Sequence, residues 1–189
     1  MVYVLGQGNF VIGWSPLDQL GYFGGCIFDN FSARARQVVF VARFNAGERG
    51  ATTIDVDNFI GALIIEDQGM LESIFSKVDE GQGTALNAAP SHVSFFSSDI
   101  ARGLLTNLEN SLPRSQPVSL TTEIPLSASM ETAFDAAKSF QTEFRHRQIE
   151  PLHLLAAILK GESSRGVKLL RASGITQEKV LLALSSGSV

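Results

Sequence analysis

The sequence predicts an all-α protein in which one helical unit occurs twice, and three observations support this prediction. Apolar residues recur at helical spacing along most of the chain after residue 28. Helix-capping residues and Gly or Pro breaks stand at the ends of these stretches. A constant offset of 95 residues places Phe31 on Leu126 and superimposes the first helical segments on the later ones.

The composition is that of a globular chain. It has 189 residues, of which 44% are apolar and 18% are charged, with 15 basic and 19 acidic side chains and a net charge of −4. Such a chain can bury the core of one domain or two small ones, and it is not a disordered tail. Its acidic balance argues against a broad nucleic-acid-binding face. The single cysteine, Cys26, excludes an intramolecular disulfide and a Cys-based zinc site.

The location expected from the sequence is the cytoplasm. No run of about 18 apolar residues is free of Gly, Pro and polar breaks, so we expect no membrane-spanning helix and no membrane partner. A secretory signal needs a positively charged start, and the first basic residue is Arg34.

Residues 1–27 differ from the rest of the chain. They contain six glycines, the only tryptophan and both tyrosines. Because the glycines permit many backbone conformations, we interpret this segment as an irregular extension that is either flexible or a short hairpin. An alternative is that the native chain begins near Phe28.

The first unit is predicted to contain four helices. Ser32 is the expected N-cap of the first helix, which ends near Gly50, and Asp55 or Asp57 opens the second. The second helix ends at Gly69, and a short third helix covers residues 70–75. Residues 77–97 are expected to form a loop in which Phe95 and Phe96 anchor against the helices. Ser98 is expected to cap the fourth helix, which Pro113 ends.

The same order returns in the second unit. Leu126-Ser127 starts a helix, and Glu150-Pro151 starts the next, with Pro at a favourable first-turn position. Gly161 ends that helix, a short helix covers residues 166–172, and the last helix follows Gly174. Cap, apolar face and loop length therefore agree between the units.

The predicted domain organisation follows from this duplication. One domain spans residues 28–188, with a first repeat at 28–112, a linker at 113–123 and a second repeat at 124–188. Each unit is too small to bury its apolar face well alone, so the two are expected to pack together.

Three segments resemble the Clp repeat domain, the double four-helix module at the N-terminus of the Clp unfoldases. The segments are Phe28-Asp29-Asn30-Phe31-Ser32-Ala33-Arg34-Ala35-Arg36, Ile149-Glu150-Pro151-Leu152-His153-Leu154-Leu155 and Leu170-Arg171-Ala172-Ser173-Gly174-Ile175. The resemblance covers roughly residues 28–188 and is strongest in the second repeat. It departs from the family in its longer loop at 77–97 and in lacking the ATPase modules of a full unfoldase.

The resemblance implies a non-enzymatic docking role. The expected partners are Clp unfoldase or peptidase subunits, adaptors and substrate proteins, with no cofactor. The chain could be a free-standing accessory factor, a fragment of a full unfoldase or a decoy for one. A second interpretation is a regulatory or sensor domain that uses the same fold outside proteolysis.

The candidate ligand site comes from the resemblance to ClpC-type domains, some of which bind phosphorylated arginine. By position, Ser32 would lie at the phosphate and Asp57 at the guanidinium. Ser127 repeats the phosphate position, but Leu152 replaces the carboxylate in that copy. The alternative is that Ser32 and Ser127 are helix caps alone, each contributing about 1 kcal/mol.

No catalytic or metal-binding set is predicted. Gly161 to Gly166 has the glycine spacing of a phosphate-binding loop, but Val167-Lys168 follows where Lys-Ser/Thr is required. No Ser or Cys lies in a nucleophile context, and a helix start separates His146 from His153. We expect His153 to pack or cap inside the second unit.

Overall fold

The computed structural model describes residues 29–70, 94–119, 122–161 and 164–186. The expected N-terminal extension, the short helix at 70–75 beyond its first residue and most of the loop at 77–97 lie outside these residues. The described part contains seven α-helices and no strand, which confirms the all-α prediction.

Three of the helices belong to the first repeat. They are α1 (Ala33–Glu48), α2 (Val56–Asp67) and α3 (Ser98–Ser111). The predicted α3 cap is wrong by one residue. Ser97 is the N-cap, and Ser98 is the first residue of the helix.

Four helices form the second repeat. They are α4 (Ala128–Glu143), α5 (Pro151–Lys160), α6 (Arg165–Ala172) and α7 (Gln177–Ser185). Helix α4 packs against α5 as α1 packs against α2, and α7 packs against α5 as α3 packs against α2. The two repeats therefore share their helix-packing pattern.

Matched serines start the first helix of each repeat. Ser32 Oγ accepts a hydrogen bond from Ala35 N at 3.2 Å, and Ser127 Oγ accepts one from Met130 N at 3.3 Å. Both were predicted as caps, and both satisfy a backbone N–H that has no partner within the helix.

Short backbone pairings cross between the repeats just before the helices begin. Ser32 N donates to Ile149 O at 3.0 Å, and Ile149 N donates to Asn30 O at 2.7 Å. The counterpart joins Ile54 to the residues before α4, where Ser127 N donates to Ile54 O at 3.0 Å. Each repeat thus holds the start of the other's second helix beside its own first helix.

The apolar core is continuous across the two repeats. Phe134 of α4 contacts Phe31 and Phe59 edge-to-face, with ring centroids 5.6 and 5.4 Å apart. Phe31 and Phe59 are fully buried, and Phe134 is 5% exposed. Because the second-repeat Phe134 lies between two first-repeat aromatics, neither unit completes this cluster alone.

The first helix of each repeat ends in a left-handed residue, but the residue differs. Gly50 follows α1 with φ +65°, and Arg145 follows α4 with φ +58°. The two positions are 95 residues apart, so they correspond in the duplication. A Cβ on Gly50 would lie 2.2 Å from Gln116 O, because the linker returns directly over this turn.

This difference predicts opposite effects of substitutions at the two positions. Gly50→Ala is expected to lower the free energy of unfolding by about 2 kcal/mol through backbone strain and overlap with the linker. Arg145→Gly is expected to raise it by up to about 1 kcal/mol, because glycine adopts positive φ without strain. Urea unfolding of both variants beside the wild type measures the two changes. If both substitutions changed the free energy of unfolding in the same direction, positive φ would not explain the difference between the two positions.

Candidate functional site

An open groove of about 1090 Å³ runs along α4 and the C-terminal half of α5. Most of the side chains that line it are small. The lining residues are Val56, Ala128, Ser129, Thr132, Ala133, Asp135, Ala136, Ser139, Ala157, Ile158, Lys160, Gly161 and Ser164. Because Val56 begins α2, the groove reaches from the second repeat to the edge of the first.

The corresponding face of the first repeat is filled by a charged pair. Arg34 Nε donates to Glu66 Oε1 at 2.6 Å, and Arg34 Nη2 donates to Glu66 Oε2 at 3.1 Å. The residues 95 positions later are Ser129 and Gly161, and both line the groove. The second repeat therefore has open space where the first has a two-point ion pair.

At two further pairs of equivalent positions, the second repeat also has the smaller side chain. Val41 and Phe44 of α1 correspond to Ala136 and Ser139 of α4, which both line the groove. Val41 is 1% exposed, whereas Ala136 is half-buried and Ser139 is exposed. Among the described residues, the groove is therefore lined mostly by smaller side chains than those at the equivalent positions of the first repeat.

The groove carries one charge on each of two walls. Asp135 stands on α4, and Lys160 stands at the end of α5. The Lys160 ammonium lies 5.4 Å from the centre of the Phe140 ring, a distance at which a cation is attracted to the ring face. The rim is therefore close to neutral, and the floor is formed by aliphatic carbon and hydroxyl groups.

The first predicted site residue, Ser32, connects the two repeats. Its hydroxyl donates to Glu150 Oε2 at 2.7 Å while capping α1, and the residue is 6% exposed. Glu150 is the N-cap residue of α5. A carboxylate thus occupies the space beside Ser32 in which the phosphate was predicted.

The second predicted site residue, Asp57, supports the N-terminus of α6. Its Oδ1 accepts from Ser164 Oγ at 2.6 Å and from Gly166 N at 2.9 Å. Ser164 in turn caps α6 by accepting from Val167 N. The carboxylate therefore complements the positive end of a second-repeat helix. Burial, and to a lesser degree the Asp57 charge, raise the pKa of the neighbouring Asp55 carboxyl.

The third predicted residue, Ser127, caps α4, and its backbone N–H donates to Ile54 O. No hydrogen bond joins Ser32 to Asp57 in the described part of the chain, because each is bonded to a different partner. Phosphoarginine binding by these residues remains a prediction.

His153 lies inside the second repeat, as the sequence indicated. It is fully buried, and its Nδ1 accepts from Glu150 N at 2.9 Å. The residue 95 positions earlier, Asn58, accepts from Asp55 N in the same way at 3.0 Å. Sequence reasoning missed the contact of His153 Nε2 with His146 Nδ1 at 2.9 Å. Burial, together with the neighbouring His146, lowers the pKa of His153 to about 4.

Asp67 is a structural residue that sequence reasoning also missed. Its carboxylate accepts from Phe95 N at 2.7 Å and from Phe96 N at 3.0 Å. Phe96 is 3% exposed and Phe95 packs against the core, so the predicted anchoring of these two rings is confirmed. The available sequence signal was an acidic residue at the C-terminal end of a helix, where the helix dipole disfavours a negative charge.

The described residues contain neither a metal-binding cluster nor a membrane-spanning helix. They contain no group of three or more His, Cys, Asp or Glu side chains arranged to hold a metal ion. Among the same residues, every helix is too short or too polar to cross a membrane.

The second repeat is similar to one known protein family. Residues 125–187 match the family model described as Clp repeat (R) N-terminal domain. No curated protein matches the chain significantly.

Solved structures share the fold over about 85% of this chain at low sequence identity. The N-terminal domain of the chaperone ClpD from Arabidopsis thaliana is 18% identical with a TM-score of 0.54, over 85% of this chain and 98% of that chain. The Hsp104 N-terminal domain from Candida albicans is 13% identical with a TM-score of 0.57, over 85% and 94%. The N-domain of ClpV from Vibrio cholerae is 11% identical with a TM-score of 0.58, over 86% and 87%.

The fold and the paired repeats define an all-α, double-repeat domain. More narrowly, residues 125–187 are similar to the Clp repeat (R) N-terminal domain family, and the chain has the fold of the Clp and Hsp104 N-terminal domains.

Proposed function

We propose that this chain is a non-enzymatic docking module of the Clp chaperone and protease system. It would bind substrates, adaptors or Clp subunits for ATP-dependent unfolding and proteolysis. The observation that carries the proposal is the groove of the second repeat, which is open where the equivalent face of the first repeat is filled by Arg34 and Glu66.

The chemistry of the groove suits a polypeptide. Small side chains along α4, such as Ala128, Thr132 and Ala136, allow a partner's backbone or bulky side chains to approach the helix closely. An amphipathic helix that enters a groove in this way contributes apolar anchors one turn apart. The exposed hydroxyls of Ser129 and Ser139 can bond polar groups at the edge.

The charge of the site supports a protein partner over a nucleic acid. The whole chain carries a net charge of −4, and the groove walls carry one acidic and one basic side chain. Phosphate backbones require clustered Lys and Arg side chains, and the groove has only Lys160. Its near-neutral rim fits a partner of mixed charge.

The decisive variant fills the groove by introducing, at equivalent positions of the second repeat, the larger side chains of the first repeat. Ser129→Arg, Ala136→Val and Gly161→Glu together copy Arg34, Val41 and Glu66 at the equivalent positions. We expect this triple variant to keep its helical content and to reduce recovery of Clp unfoldase or peptidase subunits from a lysate at least tenfold. The measurement is affinity capture followed by quantitative mass spectrometry.

A matched control changes the exposed side of the same helix. Glu131→Gln and Lys138→Gln alter exposed α4 residues outside the groove lining, and capture should remain at the wild-type level. Undiminished capture by the folded triple variant would eliminate the groove as the docking site. Repeated failure of the wild type to recover any Clp subunit would instead favour a regulatory or sensor role outside proteolysis.

A further inference from the structure

The two histidines that meet at the start of α5 admit only one arrangement of protons. Glu150 N–H can only donate, so His153 Nδ1 must be unprotonated to accept from it at 2.9 Å. The proton of neutral His153 is then on Nε2, which donates to His146 Nδ1 at 2.9 Å. His146 Nδ1 must therefore be unprotonated too.

Adding a proton to either ring breaks this series of hydrogen bonds. Protonated His146 would present Nδ1–H to the Nε2–H of His153, so two donors would face each other. Protonated His153 would present Nδ1–H to the N–H of Glu150. Because His153 is fully buried, its ring is shielded from the bulk solvent that would otherwise replace the displaced bond.

The contact fastens a strained turn. His146 follows Arg145, whose φ of +58° is unusual for a residue other than glycine. The backbone N–H of His146 donates to Gln141 O at 3.0 Å, so the turn is bonded back to α4. The ring of His146 provides the bond from this turn to α5.

Other charges near His153 are directed elsewhere. The charge that acts on its titration is that of His146, while Arg145 and Arg147 flank the turn and are exposed. Charged side chains on the surrounding helices have the following partners: the Ser32 hydroxyl for Glu150, the Phe31 carbonyl for Arg36, Gly166 N–H for Asp57 and the Gly174 carbonyl for Lys179.

We propose that His146 and His153 form an acid-sensitive latch that holds the α4–α5 turn against α5 and releases it when either ring is protonated. The first repeat has no such latch at the equivalent positions, because Ala51 and Asn58 replace the two histidines. Asn58 keeps the capping bond and lacks a titratable ring.

The sign of the pH dependence follows from the buried ring. Burial lowers the pKa of His153 to about 4, below the ordinary value of 6.5, so the unfolded chain takes up the proton first. The stabilisation is complete above the unfolded pKa and is lost as the pH falls towards the folded value. Between pH 8 and pH 5 the unfolding equilibrium constant should rise about thirtyfold from this group.

The test uses substitutions supplied by the first repeat. His153→Asn retains an acceptor for Glu150 N–H, and His146→Ala copies Ala51. Urea unfolding of the wild type and both variants at pH 8, 6.5 and 5 measures the free energy of unfolding. We expect this free energy to fall steeply in the wild type between pH 8 and pH 5. In His153→Asn the fall should be at least threefold smaller. Equal pH dependence in wild type and His153→Asn would overturn the proposal.

A second measurement on the wild-type protein does not depend on how the variants fold. Long-range ¹H–¹⁵N spectra of the imidazoles should show His153 protonated at Nε2 at pH 8. Amide hydrogen exchange in the turn at residues 144–149 should accelerate relative to the α5 amides as the pH falls, after correction for intrinsic rates. A proton on His153 Nδ1 at pH 8, or an unchanged exchange ratio, would contradict the latch.

Discussion

Phe134→Ala is expected to lower the free energy of unfolding by about 4 kcal/mol. The Phe134 ring is 5% exposed and lies edge-to-face against Phe31 and Phe59, which belong to the other repeat. Removing it leaves a cavity at the junction and deletes both aromatic contacts. The substitution should therefore weaken the attachment of the two repeats as well as the local packing.

Chemical denaturation followed by circular dichroism measures this effect. Leu182→Ala serves as the control, because Leu182 is 70% exposed and its truncation should change stability by less than about 0.5 kcal/mol. A loss below about 1 kcal/mol for Phe134→Ala would mean that the repeats do not depend on this shared cluster.

Arg34→Ala is expected to destabilise the protein by about 3 kcal/mol. Glu66 is 3% exposed, and Arg34 forms its ion pair through two nitrogen–oxygen contacts. Removal of the guanidinium leaves a buried carboxylate without its counter-charge, which costs more than the intact pair contributes. The first repeat therefore depends on Arg34 at the face where the second repeat has a groove.

A double substitution separates the orphaned charge from the loss of packing. Arg34→Met combined with Glu66→Leu removes both charges and keeps apolar volume, so it should recover most of the stability lost in Arg34→Ala. Urea unfolding of the single and double variants provides the comparison. If the double variant were less stable than Arg34→Ala, the buried charge would not be the cause of the destabilisation.

Local sequence signals predicted the helices and the repeat well. Ser32, Ser127 and Asp55 cap helices because their side-chain oxygens can accept from N–H groups three residues later. Gly50, Gly69 and Gly174 end helices with positive φ. The assignment of Ser98 as a cap was wrong because adjacent serines at 97 and 98 have equal capping chemistry.

The site was less accessible to sequence reasoning because it depends on contacts between distant elements. Asp57 and Ser164 are 107 residues apart in sequence, so the use of Asp57 at α6 could not be read from helix periodicity. The contact of His146 with His153 crosses a helix start and depends on the left-handed Arg145. The groove is lined mostly by residues with smaller side chains than their equivalents in the first repeat. The duplication gives the equivalent positions, but only the packing shows which of them face the groove.

The most direct test of the proposed docking groove compares two equivalent exposed positions. A photoreactive phenylalanine analogue replaces Thr132 in the groove in one protein and Gln37, 95 residues earlier, in another. After irradiation in a lysate, we predict crosslinks to Clp unfoldase or peptidase subunits from position 132 and none from position 37. Crosslinks to those subunits from position 37 alone, or equally from both positions, would contradict the account.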